Sequence, residues 1–219
     1  MKKTLAKGLA LAFAGSLLVA GSAMAVPVSV TYTGDNIIDT WYIEGNGSTN
    51  NIAAGANRTN WQIADTATID LPAGINFSMI WEVTNVGAAS ANNPGGFLGE
   101  IDFGAVEPYY SDVTWQYAIQ NIGTDTTADF STWNWLGVTS YARNDDTTSI
   151  WYTTLGTSIA GIDGQAEWIW SENNFNTLTD PRLFIRADVT PVPEPATMLL
   201  MGTGLAGLAG AARKRKKKA

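Results

Sequence analysis

The sequence predicts an all-β fold: a single β-sandwich flanked by an N-terminal signal helix and a C-terminal hydrophobic helix. Three observations carry the prediction. Short runs rich in β-branched and aromatic residues recur between clusters of Asn, Gly, Thr and Ser, several of these runs alternate apolar with polar residues, and no window of a dozen residues keeps a helical apolar stripe. Ten such runs lie between residues 26 and 190, and strands in that number imply two packed layers.

In order, the chain opens with the cations Lys2, Lys3 and Lys7, an apolar stretch over 8–20 and the small-x-small triplet Ala23-Met24-Ala25. Charge, length and terminal residues are those of a secretory signal peptide (1–25) handled by the Sec export machinery. They predict cleavage after Ala25, leaving Val26 at the mature terminus. An uncleaved signal anchor is the alternative.

The sandwich domain spans 26–190, with strands over 28–32, 37–43, 60–63, 67–71, 75–84, 96–103, 113–120, 149–153, 166–170 and 183–189. Phe77, Met79, Trp81 and Val83 fall on one face of their strand, and Ser78, Glu82 and Thr84 on the other. Val113, Trp115, Tyr117 and Ile119 alternate likewise with Thr114, Gln116 and Gln120. Both stripes are core positions. Turns fall at Glu44-Gly45-Asn46-Gly47, Asn92-Asn93-Pro94-Gly95-Gly96 and Asp163-Gly164, where glycine or asparagine takes positive φ.

Residues 191–219 form a third region. Prolines at 191, 193 and 195 make a stiff spacer poor in backbone donors. The apolar run 196–212 would rise about 26 Å as a helix, near the hydrocarbon thickness of about 30 Å, and so reads as a transmembrane helix. The cations of 213–218 would hold its end on the cytoplasmic side.

Val192-Pro193-Glu194-Pro195, the apolar helix and the Arg/Lys tail, in that order, resemble the PEP-CTERM sorting signal. The resemblance implies a substrate of an exosortase, a membrane-embedded cysteine transpeptidase. It implies a precursor anchored transiently in the inner membrane and a product at the cell surface or in the extracellular matrix. A plain C-terminal anchor is the alternative.

Composition narrows the function. Residues 26–190 hold four basic residues, all arginine, against 19 acidic ones, a net charge of −15 with no lysine. Such a surface repels nucleic acid and anionic lipid, so no nucleic-acid partner is predicted. Cysteine and histidine are both absent, which removes disulfides, thiol nucleophiles, histidine bases and the commonest transition-metal ligands. No cofactor is predicted. Ca²⁺ is weighed at Asp145-Asp146, at 125–129 and at Asp35-Asn36, but none has calcium-loop spacing, and a solvated acidic surface is the simpler reading.

All nine tryptophans lie in the sandwich region. Trp81, Trp115, Trp168 and Trp170 follow strand alternation and read as core. Trp133-Asn134-Trp135 sits in a turn-rich stretch with no clear strand. Indole faces stack on sugar rings while neighbouring amides and carboxylates bind hydroxyls, so Trp133, Trp135, Asn144, Asp145 and Asp146 are the candidate glycan-binding residues. Rings that merely cap the sandwich are the alternative.

A second likeness runs through the middle of the chain. Tyr32-Thr33-Gly34-Asp35-Asn36, Tyr42-Ile43-Glu44-Gly45, Trp61, Leu71-Pro72-Ala73-Gly74, Asn85 and Asn93-Pro94-Gly95-Gly96-Phe97-Leu98 resemble extracellular galactose-binding-like jelly-roll domains. Ala166-Glu167-Trp168-Ile169-Trp170-Ser171 and Phe184-Ile185-Arg186 continue the series, while Glu44-Gly45 departs from the family's Asn-Gly turn. Three functions follow as expectations. The first is an exported, non-catalytic surface or matrix protein that associates with exopolysaccharide. The second is a small acidic glycan-active enzyme using a carboxylate pair such as Glu167 and Glu172. The third is a purely structural matrix protein.

Overall fold

The computed structural model describes residues 25–45, 47–87, 90, 92–104, 106–119, 129–172, 182–190 and 204. Residues 1–24, the Val192 to Pro195 box and all of the C-terminal hydrophobic helix except Gly204 lie outside the described residues, and with them Ala23, whereas Ala25 and Val26 open the first strand.

The strands are β1 (Ala25–Asp35), β2 (Ile37–Gly45), β3 (Ser48–Ala53), β4 (Asp65–Pro72), β5 (Phe77–Thr84) and β6 (Gly96–Asp102). They continue with β7 (Tyr109–Tyr110), β8 (Gln116–Ile119), β9 (Leu136–Gly137), β10 (Thr139–Arg143), β11 (Glu167–Trp170) and β12 (Arg182–Val189), with one short helix, α1 (Ile150–Leu155). The first sheet runs β10-β11-β6-β1-β4 with β7 paired to β6, and the second runs β3-β2-β5-β12-β8-β9. Every described pairing is antiparallel.

Alternation places the core between the sheets. Val28, Val30 and Tyr32 of β1 meet Met79, Trp81 and Val83 of β5, all at most 1 % exposed. Trp41, Trp81 and Trp115 stack in series, with centroids 5.9 and 5.5 Å apart and planes within 13° of parallel. Each such pair adds about 0.5–1.5 kcal/mol beyond the area it buries.

Both sheets are also covered on their outer faces. Over the first, Leu98, Trp168 and Ala142 pack under α1 and the following loop through Trp151, Ile159 and Ile162. Over the second, Phe130 covers Tyr42, Ile80 and Phe184. Ser78 and Glu82 do take the face opposite Met79 and Trp81, but that face is buried too.

Two predicted strands are corrected. Residues 60–63 form turns, and 150–153 belong to α1, with Ser149 just before it. Ser149 caps the helix by accepting from the Tyr152 N–H at 3.1 Å, and Gly156 ends it at φ 81°. Its β-branched residues and a length of only six residues, fewer than two turns, hide the helical period. The 113–120 strand shortens to β8. Val113 and Ile119 are 61 % and 43 % exposed, whereas Trp115 and Tyr117 are buried as expected. β3, β7, β9 and β10 were not predicted. β3 is almost wholly exposed and so carries no apolar alternation to find.

Two features of topology position everything that follows. Val138 alone separates β9 from β10, so the chain passes from the second sheet to the first and closes that side of the sandwich. β3 and β4 therefore edge the opposite side, which stays open. Ala25 pairs with Pro72, and Val189 with Phe77, so both ends of the domain emerge at one pole, beside the β4–β5 turn.

Candidate functional site

The outer face of the second sheet carries the aromatic residues singled out by the sequence. Asp129 caps a 3-10 turn, Phe130–Thr132, by accepting from the Ser131 N–H at 3.1 Å. That turn drives Phe130 into the sheet and lays the next residues over it. Trp133 meets Phe184 edge-on at 4.7 Å and Phe130 at 4.8 Å, and Trp135 stacks beside Trp133 at 5.8 Å and 27°. Both indoles remain half-buried. Trp135 Nε1 donates to the Phe130 carbonyl at 3.1 Å, so its N–H fixes the ring and is not offered to a ligand.

A cation completes this surface. The Arg186 guanidinium lies 5.2 Å from the Trp135 ring centroid, and its Nε donates to Asp188 Oδ1 at 2.7 Å. Asp188 Oδ1 also accepts from the Ser78 hydroxyl at 2.6 Å. Sequence reasoning missed Phe130, Phe184, Arg186 and Asp188. One signal was readable, because alternation along β12 puts Phe184, Arg186 and Asp188 on one face opposite the buried Leu183, Ile185 and Ala187.

The remaining three candidates belong to the first sheet and do not join the rings. Asn144, just past β10, is 2 % exposed. Its Nδ2 donates to the carbonyls of Ile159 at 3.1 Å and Ile162 at 2.9 Å, and its Oδ1 accepts from the Ile159 N–H at 2.8 Å. It is a staple for the loop covering the first sheet, which corrects its assignment to a glycan surface. Asp145 pairs with Arg143 at 3.2 Å on the surface. Asp146 accepts from the hydroxyl and N–H of Thr148, and these bonds hold its carboxyl below the usual range.

Asp35, weighed as a calcium ligand, is likewise engaged internally. At 4 % exposure its Oδ2 accepts from Trp151 Nε1 at 3.2 Å, and Oδ1 from the Asn36 amide. Burial pushes its pKa up to about 6, against the two hydrogen bonds that favour the charged form. Of the carboxylate pair, Glu167 is half-buried at the start of β11, and Glu172 is exposed beyond its end. Among the described residues, no group of three metal-ligating side chains converges. Nor is any described helix long and apolar enough to cross a membrane.

The open side of the sandwich holds a groove of about 490 Å³. Ile43, Ile52, Ile69, Leu71 and Phe77 form its apolar floor, with Ser48, Asn50 and Asp70 at the rim. Sequence alone could not find it, because its lining comes from four strands that meet only after the sheets stack.

Comparison with known families locates the delivery signal. Residues 191–216 match the PEP-CTERM protein-sorting motif. This protein carries a PEP-CTERM signal. The match begins one residue after Thr190, so the signal follows directly on the last strand of the sandwich. A PEP-CTERM protein is an exported exosortase substrate, processed from a membrane-anchored precursor. No curated protein and no solved structure matches the chain.

Proposed function

We propose that this PEP-CTERM protein is a non-catalytic module of the cell surface or extracellular matrix, whose sandwich contacts exopolysaccharide through the Trp133–Trp135 face. Its signal peptide (1–25) and its hydrophobic helix (196–212) are removed during delivery. The observation that carries the reading is the sorting motif set directly after β12. The emergence of both domain ends at one pole supports it, since cutting away both targeting segments costs the described strands only the terminal Ala25–Pro72 pair of β1 and leaves β12 whole. The binding part rests on two half-buried, adjacent indoles beside Arg186 and Asp188, an aromatic platform with hydroxyl-binding groups at its edge.

Two measurements test the two parts. With Pro193, Glu194 and Pro195 replaced by alanine, the full-length precursor should accumulate in the inner membrane, and normal release would remove the sorting claim. For binding, Trp135→Ala should abolish retention of the exported protein on its native matrix polysaccharide. Trp133 packs against Phe184 and Phe130, so Trp133→Ala also loosens the sheet cover and is the poorer probe. Full retention by a folded Trp135→Ala protein would exclude the platform.

A further inference from the structure

β3 is a sheet edge without the devices that keep edges from pairing. β4 has Asp65 and Asp70 along its length and ends at Pro72. β7 and β9 are two residues long, and β10 shifts register against β11 between Ser140 and Ala142 and ends on Arg143. β3 has six residues, no charge, no proline and no register shift against β2, within a domain of net charge −15. It pairs with β2 alone among the described strands, and every side chain except Ile52 is exposed. Its register with β2 puts Ser48, Asn50 and Ile52 on the groove side and Thr49, Asn51 and Ala53 on the outer side.

We propose that β3 is a self-association edge, at which two copies of this chain join β3 to β3, antiparallel about a two-fold axis, into one continuous sheet. Charge limits where two copies can meet. Repulsion between two strongly anionic domains opposes their association, and β3 is a stretch of edge where no charge meets its own image. The residues at its middle suit self-pairing, because a two-fold axis at Asn50 or Asn51 sets identical amides opposite each other. An amide both donates and accepts, and Asn51, whose Oδ1 already accepts from the Thr40 hydroxyl at 2.8 Å, keeps a second lone pair and both N–H donors. The added strand also lengthens the groove wall carrying Asn50 and Ile52 and shields the apolar floor behind it.

The chain has no cysteine, so an introduced one reports its neighbours without background. Thr49→Cys, Asn50→Cys and Asn51→Cys would be made in the exported protein, purified from producing cells, with Thr68→Cys on exposed β4 as the control. Mild oxidation should give a disulfide dimer about tenfold faster at Asn50 or Asn51 than at Thr68, because a residue on the axis holds its own copy within disulfide range. Equal rates at all four positions would overturn the proposal. As a second measurement, Thr49→Glu with Asn51→Glu, both on exposed outer positions, should halve the sedimenting mass of the folded protein. An unchanged mass would equally overturn it.

Discussion

Trp151 Nε1 donates to Asp35 Oδ2 across 3.2 Å, tying α1 to the end of β1 although 116 residues separate the two. The Trp151 ring lies flat on Trp168, 4.6 Å away with planes 6° apart, so this one side chain joins the helix, β1 and β11. The bond holds an acid in a place that disfavours its charge.

This predicts a pH dependence with a definite sign. Asp35 keeps its proton up to about pH 6 when folded, against 3.8 for the free side chain, so the folded state binds more protons between those values. Stability from this group is therefore full below about pH 4 and falls as pH rises to about 6, by roughly 3 kcal/mol in all. Unfolding free energies measured from pH 3.5 to 7 should fall less steeply for Asp35→Asn than for the unaltered protein. Parallel curves would show that the site does not titrate as argued.

Gly96→Ala should destabilise the fold by roughly 1–3 kcal/mol, because small-to-large changes in a packed site force neighbours off their rotamers. A Cβ there would sit 2.7 Å from Trp151 Cζ2 and 2.9 Å from Trp168 Cε3. Urea denaturation of Gly96→Ala, Trp151→Leu and the double variant gives the coupling, and the double should cost less than the sum of the singles. Strict additivity would mean the indole does not constrain this glycine.

Asn144→Ala should cost about 2–4 kcal/mol, since the Ile159 N–H and the Ile162 carbonyl lose buried partners. Amide exchange should quicken at Ile159 before it does in β1. Asn144→Asp keeps an acceptor for Ile159 but turns a carboxylate toward two carbonyls, so it should be no better than alanine. Exchange at Ile159 unchanged in Asn144→Ala would rule out the staple.

The glycine pair Gly95-Gly96 shows how a correct location can carry a wrong reason. The sequence marks the stretch as a turn because glycine takes positive φ, and a turn does precede β6. Neither residue is among the positive-φ glycines, and both are needed for room: a Cβ on Gly95 would lie 2.3 Å from Trp170. That requirement is set by rings more than 50 residues away and has no local signature.

What the sequence determined by itself is what depends on neighbours along the chain. Charge, apolar length and the Pro-Glu-Pro box define the sorting signal, and alternation through Phe77, Met79, Trp81 and Val83 of β5 and through Trp115 and Tyr117 places those side chains in the core, because a pleated strand sends successive side chains to opposite faces whatever packs on them. What only tertiary structure decided is which surfaces remained after packing. Folding connecting segments over the outer faces of the sheets put Trp133 and Trp135 beside Arg186 and sealed Asn144 under its loop, and stacking the sheets opened a groove between β3 and β4. Each of these depends on contacts between distant strands, whose energies no local pattern of residues records.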